Sequence, residues 1–124
     1  MKKFTLKNRT NSFRYAFEGI KLLVKEHNVW IHLFITVLVL FFSWWLKISR
    51  AEWIIVLFAI GLVLMAEGFN TAIEYLGNAI SKEKNKNIQK AKDVAAGAVL
   101  IAAITSAIIG LLVFVPKIFD KLNF

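Results

Sequence analysis

The sequence predicts an all-α membrane protein, with three transmembrane helices preceded by an amphipathic helix on the membrane surface. Three observations predict it. The chain has 124 residues, is 58% hydrophobic and has a mean hydropathy of +0.62, whereas soluble domains run at roughly 45–50% apolar. The apolar residues gather in long runs, as membrane spans require. The net charge of +8 sits beside those runs, where it sets topology and meets anionic lipid. That placement argues against the nucleic-acid partner a basic soluble chain would suggest. The length suits one domain, residues 1–124. The absence of cysteine excludes disulfides and thiolate chemistry, and two histidines, His27 and His32, are too few for a histidine metal cage.

Met1 to Thr10 is basic and polar and predicts a mobile arm. Met1 to Lys25 stays mixed and charged, with no small-residue cleavage site after the first apolar run, so no secretory signal is expected. The surface helix is expected over about 11–26, started by Asn11 or Ser12. Phe13, Phe17, Ile20 and Val24 recur at helical spacing, with Arg14, Glu18, Lys21 and Lys25 on the neighbouring face. Such a helix suits the interface, because it is too charged to span. A helix docked on a protein partner is the competing reading, and the span that follows directly favours the membrane.

The spans are expected over about 28–47, 52–80 and 91–116. The first, VWIHLFITVLVLFFSWWL, reaches roughly 27 Å as a helix, with Trp44 and Trp45 as an aromatic belt. His32 near its start reads as a packing or hydrogen-bonding residue rather than a ligand. The second opens at Trp53 after a short turn and outruns the bilayer. The third is rich in Ala and Gly, which permit close helix contact in lipid. It follows a polar loop, Ser81 to Lys90, and is expected to end at Pro116. Lys and Arg number seven before the first span, five over Lys82–Lys92, two in the first turn and two in the tail. The positive-inside rule therefore places the N-terminus and the second loop in the cytoplasm.

Chemistry concentrates in EGFNTAIE, residues 67–74. On a helix, Glu67, Asn70, Glu74 and Asn78 fall within a stripe about 80° wide. A charged side chain at membrane depth costs about 2.5–3.5 kcal/mol on insertion scales, so two carboxylates on one stripe point to use. A polar seam joining helices, or a solvated face above the lipid, is the bland alternative. It weakens because Glu26, at the start of span one, and Lys92 and Asp93, at the start of span three, belong to the same membrane level as Glu74 and Asn78. Mg²⁺ takes oxygen ligands, commonly one or two carboxylates plus substrate phosphates. Phosphate needs cations, here Lys92 with Arg9 or Arg14. A lipid hydroxyl needs a positioned carboxylate, and Glu67 is the deepest. No Gly-rich phosphate loop and no kinase Asp-Phe-Gly is present, so any nucleotide site is built differently.

The chain resembles the prokaryotic diacylglycerol kinases, including the undecaprenol kinases of Gram-positive bacteria. NSFRYAFEGI (11–20), EHNVWIH (26–32), EGFNTAIE (67–74) and KAKDVAAGAVL (90–100) carry the resemblance, in the family's order and over most of the chain. EGFNTAIE with KAKDVAAGAVL is a specific pair. The EHN…IH and AAGAVL forms look more like the undecaprenol branch. The resemblance implies a homotrimer in the bacterial cytoplasmic membrane, with sites shared between subunits at the cytoplasmic face. It implies ATP-dependent, Mg²⁺-dependent phosphorylation of undecaprenol or diacylglycerol. It implies Glu67 as the catalytic base with Asn70 beside it, and Glu26 and Glu74 as carboxylates that hold metal. Lys92 and Asp93 match nucleotide-binding residues, and Arg9 falls close to an N-terminal arginine near the phosphates. The chain departs from the pattern at Gly77-Asn78, where the family usually has Val-Asp. Asn78 accepts a hydrogen bond but cannot neutralise a cation.

Two other classes share some of these features. A non-enzymatic assembly or transport subunit would have the spans and the seam, without reason to gather Glu67, Glu74, Lys92 and Asp93, and would show no ATP turnover. A lipid phosphatase usually needs a histidine, cysteine or aspartate nucleophile, and only Asp93 lies beside a cation.

Overall fold

The computed structural model describes residues 3–123. Helices α1 (Leu6–Val24), α2 (His27–Trp45), α3 (Arg50–Ile80) and α4 (Lys86–Lys121) follow one another, and no strand occurs among the described residues. α2, α3 and α4 are each long and apolar enough to cross a membrane. Their 19, 31 and 36 residues run roughly 28, 46 and 54 Å. Only α2 therefore matches a hydrocarbon core of about 30 Å; α3 and α4 project beyond it.

The main pairing is α3 against α4, antiparallel, with α2 lying more loosely on α3 and α1 meeting α2. The pair is pinned at both ends and in the middle. Lys117 Nζ lies 3.2 Å from Glu52 Oε1, Ser106 Oγ donates to the Ala59 carbonyl at 3.1 Å, and Lys92 Nζ donates to Asn78 Oδ1 at 2.8 Å. Ala59, Ala95 and Ala102 are buried, so small side chains let the helices approach, as expected. The packed apolar cluster, Leu46, Ile48, Val56 and Val113 with Trp53, Ile60 and Phe114 against it, lies at the end with the α2–α3 turn. Trp44, Phe58 and Leu112 stand outward and exposed. In a bilayer, acyl chains as apolar as leucine meet such faces.

Four expected boundaries are corrected, three of them by cap chemistry. α1 starts at Leu6 rather than Asn11, because Thr5 Oγ1 accepts the Asn8 N–H at 3.1 Å; a threonine there satisfies an orphan donor of the first turn. The basic arm is thus helical from Leu6 onward, and Lys2 lies outside the described residues. α3 opens at Arg50 rather than beyond Glu52, because Ser49 and Glu52 form a reciprocal capping box, Ser49 N–H to Glu52 Oε1 at 3.0 Å and Glu52 N–H to Ser49 Oγ at 3.2 Å. α4 begins at Lys86, inside the expected loop, because Asn85 Oδ1 accepts the N–H groups of Asn87 and Ile88. α4 also runs through Pro116 to Lys121. Proline removes one backbone bond, but its fixed φ is helical. Lys117 on Glu52, with Lys121 Nζ 4.5 Å from the centre of the Trp45 ring, holds the last turns in place.

α2 ends in a Schellman motif. The Ile48 N–H reaches the Ser43 carbonyl and the Lys47 N–H reaches that of Trp44, both at 3.2 Å. Lys47 takes the left-handed position with φ 53°, where glycine is usual. The motif turns Ile48 into the apolar cluster, where it is buried.

Candidate active site

The site lies where the inward face of α2 meets the polar stripe of α3. On α2 the inward residues are Val29, His32, Thr36, Val39 and Ser43, spaced three and four apart as a helix face requires. Val29 and Ser43 are fully buried. On α3, with Glu67 taken as the zero of rotation, Glu74 and Asn78 lie about 20° to either side, Tyr75 about 80° one way and Gly77 about 80° the other. The stripe therefore opens between the Tyr75 edge, which faces Glu26, and the Gly77 edge, which faces α4.

Glu67 is 4% exposed. Its Oε1 stands 2.9 Å from His32 Nε2. One turn on, Asn70 is buried, with Nδ2 donating to Glu74 Oε1 at a long 3.4 Å. Asn70 Oδ1 is buried without a partner. An unmet acceptor costs about 1–3 kcal/mol, so a donor arriving with water or a ligand would stabilise this point. Glu74 itself is exposed, and half-buried Glu26 accepts from the Tyr75 hydroxyl at 3.3 Å.

On the other edge, Gly77 explains how Lys92 arrives. A Cβ there would stand 3.0 Å from Ile88 Cγ2 and 3.1 Å from Lys92 Cε. Without it, α4 lies close enough for Lys92 to bond Asn78. The neutral amide orients the ammonium without cancelling its charge. Asp93 accepts from Gln89 Nε2 at 2.9 Å on the exposed side of α4. Arg9 and Arg14 make local contacts on α1: Arg9 lies over the Phe4 ring, and Arg14 Nε stands 3.6 Å from Glu18 Oε1 with both side chains exposed.

The structure thus links Glu74 with Asn70 and Asn78 with Lys92, and sets Glu26 on Tyr75. It joins neither Arg9 nor Arg14 to them. Among the described residues no three acidic or histidine side chains cluster as a metal cage. Two partners were not anticipated. The sequence predicts a hydrogen-bonding or packing role for His32 without naming Glu67 as its mate, although a polar ring inside an apolar run needs a partner in lipid. Tyr75 carried no signal; its role depends on where Glu26 ends up.

A helical chain with three membrane-length helices and a buried carboxylate beside cationic and carboxylate groups has the make-up of a membrane-embedded enzyme. A family model described as prokaryotic diacylglycerol kinase matches residues 14–114. The chain is 38% identical over 108 residues to undecaprenol kinase of Bacillus subtilis (strain 168), a match covering 86% of this chain and 88% of that protein. It is 33% identical over 109 residues to diacylglycerol kinase of Synechocystis sp. (strain ATCC 27184 / PCC 6803 / Kazusa), covering 86% of this chain and 62% of that protein. The chain belongs to the prokaryotic diacylglycerol kinase family, and it is a membrane lipid kinase. Membership implies a nucleotide as phosphate donor.

Proposed function

We propose that the chain transfers the γ-phosphoryl group of ATP to the hydroxyl of undecaprenol or diacylglycerol, at the cytoplasmic face of the bacterial inner membrane. The observation that carries this reading is Glu67, a carboxylate buried on a membrane helix with one oxygen held by His32 and the other left for a substrate proton. In the proposed step the lipid oxygen attacks the γ-phosphorus, its proton passes to Glu67, and the bond to the β-phosphate oxygen breaks to release ADP. Burial favours this chemistry, since charges interact more strongly where water is excluded.

The donor set fits a magnesium–nucleotide complex. Glu26 and Glu74 would hold the metal, one or two carboxylates being what Mg²⁺ usually takes beside phosphate oxygens. When bound, it would neutralise charge developing on the transferred group. Lys92, Asp93 and Asn78 would hold the nucleotide, and Asn70 would steady the site beside Glu67. Arg9 and Arg14 would have to leave their local contacts on α1 to reach phosphate. The whole chain, 1–124, would act as one domain, with α1 on the membrane surface. In its favour, α1 has no buried residue, and Phe13, Phe17 and Ile20 are exposed. A homotrimer would complete the site at the open edges of the stripe. The N-terminal segment and the 81–85 connection share one end of the bundle, and the excess of Lys and Arg there supports a cytoplasmic location.

The match along most of the length of undecaprenol kinase supports undecaprenol as the preferred acceptor in this reading. The test is a substrate panel: purified protein in vesicles, ATP, Mg²⁺ and each alcohol, with the phosphorylated lipid measured. Product from undecaprenol at several times the rate from diacylglycerol is expected. No product from either would overturn the reading.

A further inference from the structure

Among the described residues, His32 makes the one hydrogen bond that Glu67 has. The ring lies on the inward face of α2, about one-fifth exposed, with Nε2 2.9 Å from Glu67 Oε1. Its backbone carbonyl accepts from Thr36 Oγ1 at 2.7 Å, and Val29, one turn earlier, is buried. The helix around the ring is therefore well held. Below it, a cavity of about 280 Å³ between α2, α3 and α4 is lined by His32, Thr36, Val63, Ala103 and Ser106 among others. The ring is fixed from one side and has space on another.

We propose that His32 is a positioning residue for the phosphoryl-transfer base. This rests on the reading of Glu67 as that base. A carboxylate acting as base offers only acceptors, so in that role Oε1 accepts an N–H from His32 Nε2. The Nε2–H bond fixes the carboxylate rotamer. It occupies Oε1 and leaves Oε2 for the lipid hydroxyl. A pair serving only to join two helices would not need an ionisable acid in lipid, since neutral amides and hydroxyls do that work. Nor would it stand one turn from a buried Asn70 Oδ1 that has no partner. Both features mark an arrangement completed by substrate.

The proposal separates hydrogen bonding from packing. His32→Phe keeps a planar ring and removes the donor, and the cavity gives the larger ring room. His32→Gln keeps an N–H donor near the position of Nε2 and loses the ring. In vesicle-reconstituted protein, His32→Phe is expected to lower kcat about 10- to 100-fold, the usual range for groups that orient a reacting residue, with KM for ATP within about twofold. His32→Gln is expected to recover most of that loss. The double variant His32→Phe/Glu67→Gln is expected to be no slower than Glu67→Gln alone, because His32 acts through Glu67. Equal rates for the Phe and Gln variants, or a kcat within twofold of the parent for both, would overturn the positioning role. Strong residual turnover in Glu67→Gln would instead overturn the reading of Glu67, whatever His32 does. Should the Phe variant fail to fold, the ¹⁵N resonance of His32 decides. A protonated Nε2 whose shift moves in Glu67→Gln supports the pairing, and an unmoved resonance overturns it.

Discussion

The two ends of the helix bundle are built differently. At the α2–α3 turn the polar groups are closed on one another. Ser49 and Glu52 cap α3 reciprocally, Glu52 also meets Lys117, and Lys121 covers the Trp45 ring. Beneath them Leu46, Ile48, Val56 and Val113 form the packed cluster. At the opposite end the polar groups are held in pairs that keep spare capacity. Glu67 uses one oxygen, Glu74 receives a long bond, Asn70 Oδ1 receives none, and Lys92 leans on a neutral amide. Unmet capacity costs stability. One closed end and one open end support the proposal that the binding chemistry lies at the open end.

Substitutions at the open end should therefore lower activity with little effect on folding. Glu67→Gln preserves shape and removes the proton acceptor; turnover should fall at least about 100-fold, the usual worth of a general base. Nucleotide binding, measured by titration, should be largely retained, and near-normal turnover would remove Glu67 from the base role. Glu74→Gln removes one proposed metal carboxylate. The Mg²⁺ concentration for half-maximal activity should rise about tenfold, a charge-assisted contact being worth about 1.5–3 kcal/mol. An unchanged Mg²⁺ response would rule the role out. Glu74 is exposed, so its thermal unfolding should match the parent.

Gly77 tests how the open edge is made. An alanine there gains helix propensity of up to about 1 kcal/mol, but its Cβ would press on Ile88 Cγ2 and Lys92 Cε, at 3.0 and 3.1 Å. The lysine is the more flexible neighbour and should give way, leaving Asn78. Thermal stability should change little while KM for ATP rises several-fold, and a KM unchanged by Gly77→Ala would mean that the Lys92–Asn78 contact does not serve the nucleotide.

The same contrast explains what was readable from sequence. About twenty apolar residues in a row have few structural options, so three spans were legible, and the stripe of Glu67, Asn70, Glu74 and Asn78 followed from helical period alone. The ends of helices were less legible because several residues compete to cap them. Thr5 won over Asn11, Asn85 opened α4 early, and Pro116 did not close it once Lys117 and Lys121 held the far turn. The partners of site residues were the least legible. His32 on Glu67, Tyr75 on Glu26 and Lys92 on Asn78 depend on the register between helices, which no single helix encodes.

The closed end supplies the smallest effect and the cleanest control. Lys47 sits at φ 53° in the Schellman turn, a conformation that costs a non-glycine residue roughly 1–2 kcal/mol. Glycine adopts it without that penalty but loses more freedom on folding, which returns part of the gain. Lys47→Gly should therefore raise stability by about 0.5–1 kcal/mol, read as a modest rise in unfolding temperature in detergent. Lys47 is exposed and has no contact with Glu67, Glu74 or Lys92, so kcat and KM should stay at parental values. A gain in stability with unchanged kinetics would establish that the turn serves folding alone. Kinetics that shift with Lys47 would mean that the packed end communicates with the site, and the division between the two ends would not hold.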